Sequence, residues 1–215
     1  EVLLGVADAG RGYIRLVEFS VENQSRTRPF GKYWDTGGIT SPNAWIDDMD
    51  VFSDIMQENG WIGMGPPIEY KYATGGEGSE LVMTGPSDLT MAFVQRKKPP
   101  LPEEWPAFEQ MSFVSSVFLQ VRDFDAATDF YENVLKWPKI RDRYNERNEP
   151  GETAFGLPYS FKTELDNYQA AFKPNDSFPE TIVISSYPNA LGQHFDGAIG
   201  APHLGPNTLR FETEM

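Results

Sequence analysis

The chain repeats itself, and that repeat limits its fold more than any other feature. Ile46-Asp-Asp-Met-Asp-Val-Phe-Ser-Asp54 lies over Val121-Arg-Asp-Phe-Asp-Ala-Ala-Thr-Asp129 at a constant offset of 75 residues. Asp48, Asp50 and Asp54 fall on Asp123, Asp125 and Asp129. Each copy closes on a tryptophan, Trp61 or Trp137, the second displaced by one further residue. Self-similarity of this period signals two copies of one supersecondary unit.

Both copies carry the same local pattern. A β-like run precedes the aspartates, Gly38 to Ile46 in the first copy and Ser112 to Arg122 in the second. An amphipathic helix follows. In the second copy Ala126, Ala127, Phe130, Tyr131, Val134 and Leu135 recur at helical spacing, with Asp125 expected as the N-cap. In the first, Phe52, Ile55 and Met56 predict a shorter helix that stops at Asn59-Gly60. Strands are predicted around Ile68 to Tyr72, Ser79 to Thr84 and Thr90 to Gln95, with Gly85-Pro-Ser-Asp88 turning between the last two. The unit reads β-α-β-β-β. The aspartates are helix caps and loop hydrogen-bonders rather than catalysts.

Proline density marks the joint between the copies. Lys97-Lys-Pro-Pro-Leu-Pro-Glu-Glu-Trp-Pro106 cannot form a regular element. The expected organisation is a first domain over 1–98, a linker over 99–110, and a second domain over 111–215.

Charge and rare residues narrow the function. With 18 Lys+Arg against 32 Asp+Glu the formal net charge is −14, which disfavours nucleic acid and an anionic membrane surface. There is no cysteine, so thiolate chemistry, disulfides and Cys-ligated zinc are excluded. Two histidines cannot form a three-histidine metal site. No apolar run is long enough to span a bilayer and no signal pattern opens the chain, so a cytoplasmic location is expected. Gly75-Gly-Glu-Gly78 lacks the Lys-Ser/Thr of a phosphate loop and reads as a strand connection.

The β-α-β-β-β unit with Val121-Arg-Asp-Phe-Asp-Ala-Ala and Phe130-Tyr-Glu-Asn-Val-Leu-Lys-Trp137 resembles the vicinal-oxygen-chelate superfamily (glyoxalases, bleomycin-resistance proteins and extradiol dioxygenases). Gly85-Pro-Ser-Asp88 before a strand is similar to that family's closing turn. Gly12-Tyr-Ile-Arg-Leu-Val-Glu-Phe19 followed by Tyr33-Trp-Asp-Thr-Gly-Gly38 resembles the join between successive units. The resemblance implies an α+β fold of repeated βαβββ modules forming cupped mixed sheets with helices on the outer face. On this alignment the chain holds the tail of one module (about 1–30), a full second (about 38–96), a third (about 112–188), and the opening strand of a fourth from Leu204. It therefore reads as a fragment of a four-module protein.

The resemblance also implies a divalent metal held by a first-strand His and a last-strand Glu. This chain places Ser41, Ala92, Ser116 and Asn207 at those positions, so no metal cofactor is expected. His194 and His203, in a glycine-rich loop, are the candidate general acid–base groups, with Glu212 beside them. Arg210 and Glu212 alternate in one expected strand and would face one side. Phe118, Gln120, Tyr159, Trp45 and Arg210 are the candidate substrate-binding residues. The expected ligand is a small aromatic or apolar molecule in the cup. Lyase- or isomerase-type proton transfer, simple sequestration, and a metal enzyme whose ligands lie outside this chain are the competing functions. A homodimer through sheet edges is the expected assembly.

Overall fold

A computed structural model describes the chain except residues 72–74, 145–148, 175–179, 196, 198 and 212–215 and the side chain of residue 87. A short ribbon comes first, β1 (Val2–Leu4) antiparallel to β2 (Ile14–Leu16). The first complete module follows: β3 (Ser41–Ile46), α1 (Met49–Glu58), β4 (Ile62–Gly63), β5 (Ile68–Lys71), β6 (Glu77–Thr84) and β7 (Thr90–Lys98). The second holds β8 (Met111–Gln120), α2 (Phe124–Asp129), β9 (Lys139–Tyr144), β10 (Tyr168–Phe172) and β11 (Thr181–Ser186). Residues 99–110 form no strand or helix, as the proline-rich run predicts.

The two modules share one nine-stranded sheet of order β4-β6-β7-β3-β8-β11-β10-β9, with β5 also on β6. In each module the first strand lies parallel to the last, β3 with β7 and β8 with β11. The two first strands meet antiparallel at the centre. The sheet is therefore built as two like halves about the β3–β8 seam. This is the repeated βαβββ, α+β architecture the sequence implies.

Helix starts follow the repeat. Asp48 Oδ1 accepts the Val51 amide at 3.0 Å, and Asp123 Oδ1 accepts the Ala126 amide at 2.9 Å. The second cap is thus Asp123, not Asp125, which lies in the first turn. Met49 and Phe52 of α1 bury against Ile46, Leu81, Met83, Met91 and Phe93. Beyond α2, Phe124, Ala127 and Tyr131 pack on Ala170, Phe172, Ile182 and Ile184. Both helices cover the same face of the sheet.

The second helix departs from the expected pattern in one respect. Its continuation, Phe130–Val134, is a π-helical turn, and it leaves Phe130, Val134 and Leu135 exposed. A π turn adds a residue per turn and so rotates later side chains out of phase. The same turn accounts for the displaced tryptophan. Trp61 N–H donates to Met56 O at 3.0 Å and Trp137 N–H donates to Tyr131 O at 3.0 Å. Met56 and Tyr131 are equivalent at the 75-residue offset, so the extra residue is absorbed between Tyr131 and Trp137 while the closing bond is kept.

Among the described residues of the tail, 204–211, the expected opening strand of a further module is not formed. Residues 205–211 have no regular pairing, and only an isolated bridge joins Leu204 to Arg26. The physical reason is packing. Leu209 joins the cluster beneath α2, and Phe211 meets Trp137 edge-on at 5.1 Å. Among the described residues no helix is long and apolar enough to cross a membrane.

Candidate functional site

The sheet face opposite the helices is where the repeat gathers its polar and aromatic residues. Ala92 pairs with Asn43, Asn43 with Ser116, and Ser116 with Thr181, giving one row across the four central strands. Ser41 lies two residues along β3, its hydroxyl 3.1 Å from the Asn43 amide. Three of the four positions where the family would hold a metal thus converge. Ser41 and Ser116 offer neutral hydroxyls there and Ala92 offers no donor, and the neighbouring Asn43 adds only a neutral amide, a set that does not fit a divalent transition metal. Among the described residues no three His, Cys, Asp or Glu side chains come together. The fourth position, Asn207, lies elsewhere, its amide donating to His203 O at 3.2 Å.

This inner face is filled by the chain itself. Tyr33 and Trp34 from the segment before β3, and Ala154 and Leu157 from the connection after β9, bury against Val82, Ala92 and Tyr187. Phe118 and Phe155 pack on the same cluster. Two glycines let the backbones meet. A Cβ on Gly65 would stand 2.1 Å from Thr153 O, and one on Gly156 (φ 71°) would stand 2.3 Å from Met64 O. Tyr33 Oη lies 3.4 Å from Ser41 Oγ. Burial pushes the Tyr33 phenol far above the usual tyrosine range; the nearby Glu80 charge adds to this and the Ser41 contact opposes it.

The segment that carries Tyr33 is pinned by charge. Arg28 donates to the carbonyls of Gly37 at 2.5 Å, Lys32 at 3.0 Å and Asp35 at 3.1 Å. The buried Asp35 carboxylate accepts the amides of Lys32 and Gln193, each at 2.7 Å. Burial lowers Arg28 to about 10, with Asp35 and Tyr33 working in the other direction.

Where the inner face ends, two cavities open. The larger holds about 550 Å³ and is walled by Trp34, Phe155, Phe161, Leu165 and Leu191, with Lys32 and Glu164 among its polar members. That volume lies in the range of small-molecule sites, roughly 300–1,000 Å³. The smaller, about 220 Å³, is bordered by Arg28, Thr40, Thr84, Asp88 and Thr90. Lys32 and Met64 line both.

The sequence-predicted residues are scattered relative to these cavities, and none of the described ones is among the lining residues of either. Phe118 is on the inner face but packs 6.3 Å from the Tyr33 ring. Gln120 is 1% exposed, and neither atom of its amide has a hydrogen-bond partner. Trp45 meets Trp105 of the linker edge-on at 6.4 Å, with Arg96 5.8 Å from its ring. Tyr159 begins a 3-10 turn and is 63% exposed; its neighbours Pro158 and Phe161, not Tyr159, line the large cavity.

His194 Nδ1 lies 2.6 Å from Thr36 Oγ1 in an exposed bridge. His203 sits apart in the turn that follows Gly200. Arg210 is exposed and outside any strand, and it acts on the Glu1 carboxylate through charge. Glu212 and Asp196 lie outside the described residues. Sequence reasoning missed Lys32, Phe155, Phe161 and Leu165, because they sit in irregular segments without periodicity. The one available signal was the aromatic–glycine pattern Phe155-Gly-Leu-Pro158.

No known family profile matches the chain, and no curated protein matches it. Among solved structures it is similar to a point mutant of glyoxalase I from Zea mays, at 15% identity and a TM-score of 0.46 over 74% of this chain and 47% of the maize chain. A second maize mutant gives 14% and 0.43, and the parent enzyme 13% and 0.42, each over 74% of this chain and 46% of theirs. The chain spans about half the length of these proteins. On its own strand order and pairing, the chain is an α+β protein of paired βαβββ modules.

Proposed function

We propose that this glyoxalase-like chain binds a small, flat, largely apolar organic molecule, and that it does so in the cavity beside the inner face. The observation that carries this reading is the cavity of about 550 Å³ with Trp34, Phe155 and Phe161 in its wall. Aromatic walls with few polar groups suit a planar ligand. The filled inner face moves the ligand from the centre of the sheet to its rim. Sequestration suits the site better than proton transfer. His194 is held by Thr36, and neither it nor His203 is among the residues lining the cavity.

Titration with the neutral dye N-phenyl-1-naphthylamine, read by its fluorescence, tests the reading. Ala190→Phe places a ring in the cavity and is expected to abolish binding while the thermal unfolding midpoint holds. A protein that does not bind the dye, or that binds it equally after Ala190→Phe, removes the assignment.

A further inference from the structure

We propose that the ligand of this cavity is an anionic aromatic, an aromatic body bearing a carboxylate or equivalent acid group, and that Lys32 receives the acid. The inference rests on the binding role proposed above and adds to it the chemistry of the ligand's polar end.

The position of Lys32 carries the argument. Its backbone is fixed at both ends of the peptide unit: the amide donates to Asp35 Oδ2 and the carbonyl accepts from Arg28 Nη2. The side chain therefore leaves from a set point. Its ammonium stands 5.4 Å from the Trp34 ring centroid, against the aromatic wall of the large cavity. Among the described residues it forms no ion pair, although the chain carries 32 carboxylate side chains against 18 Lys and Arg. Its charge is therefore available to a ligand in the apolar cavity that it lines. Lys32 also lines the smaller cavity.

Glu164 gives the cavity a direction. It lines the same space and makes no ion pair with Lys32 among the described residues. An acid group placed toward Glu164 meets like charge; placed toward Lys32 it meets opposite charge. Trp34 is then shared, its face serving both the ammonium and the ring of the ligand. A neutral aromatic gains the wall alone, and an anionic one gains the wall and Lys32 together.

A pair of dyes that differ only in the acid separates this inference from the binding role beneath it. N-phenyl-1-naphthylamine is neutral, and 8-anilinonaphthalene-1-sulfonate is the same skeleton with a sulfonate. Both are titrated into the wild type, Lys32→Gln, Lys32→Arg and Ala190→Phe. Lys32→Gln is expected to weaken the sulfonate about tenfold and the neutral dye less than about twofold. Lys32→Arg is expected to restore the sulfonate, and Ala190→Phe to remove both dyes. If Lys32→Gln affects neither dye, or both alike, the anionic ligand is refuted while binding of the neutral dye keeps the cavity. If neither dye binds the wild type, the cavity itself is refuted.

Discussion

The ring of Tyr33 stacks on that of Phe155 with centroids 4.9 Å apart and planes 29° from parallel. One comes from the segment before β3, ahead of the first complete module, and the other from the β9–β10 connection within the second. Their contact closes the inner face of the sheet from both sides. It converts a potential ligand cup into core and leaves the accessible volume at the edge.

Truncating this stack is expected to affect stability and binding in opposite directions. Phe155→Ala removes a partly buried ring and should cost about 2–3 kcal/mol in urea unfolding. The same change enlarges the cavity that Phe155 lines, so the variant should bind a bulkier neutral dye than the wild type does.

Alkaline pH should probe Tyr33. Its phenol is raised in the folded protein, above an unfolded value near 10.0. The folded state therefore keeps a proton that the unfolded state releases, and the stability present below pH 10.0 declines as pH rises above it. Relative to Tyr33→Phe, the wild type should lose up to about 1.4 kcal/mol per pH unit in that window. Urea midpoints measured at pH 8 and about pH 11 check this; parallel slopes in the two proteins would rule it out.

Gln120 is expected to be a liability to stability. Its amide is buried without a partner. In the neighbouring row Ser185, opposite Gln120, accepts from Asn167 at 3.0 Å, and Asn167 in turn accepts from Gln169 at 3.2 Å, a chain of bonds that does not include the Gln120 amide. Gln120→Met keeps the shape and removes the unmet polar atoms. It should stabilise the protein by about 1 kcal/mol. A loss of that size instead would show that the amide has a partner in solution.

The two equivalent caps offer a direct test of the repeat. Asp48→Ala and Asp123→Ala should each cost about 1 kcal/mol, and the double variant about the sum. Urea unfolding of the three variants gives the comparison. A negligible effect at Asp123 with a full effect at Asp48 would mean that the second helix start is held by packing instead.

Much of the fold was legible because it is written in local, repeated chemistry. The paired aspartates predicted two helix starts, although the exact cap of the second was misassigned by two residues. Alternating apolar runs and Gly85-Pro86 predicted strands that match β6 and β7. Among the described residues of the tail, 205–211 form no strand, and Leu209 and Phe211 pack on apolar partners near α2 and Trp137. Exposure of Val134 and Leu135 was hidden by the π turn, whose bonding pattern leaves no mark in apolar spacing.

The candidate site was far less visible. Phe118 and Gln120 were candidate ligand-binding residues on the strand that became β8, but nothing along the strand tells what covers its inner face. The cover comes from irregular segments more than 100 residues apart, which contribute Tyr33 and Phe155. By itself the sequence determined the βαβββ unit, its duplication and where its helices begin, because each follows from neighbours along the chain. Only the tertiary structure decided that the inner face is core, that the cavity lies at its rim, and that Lys32 stands beside it. Those facts depend on contacts between segments whose meeting no local pattern encodes.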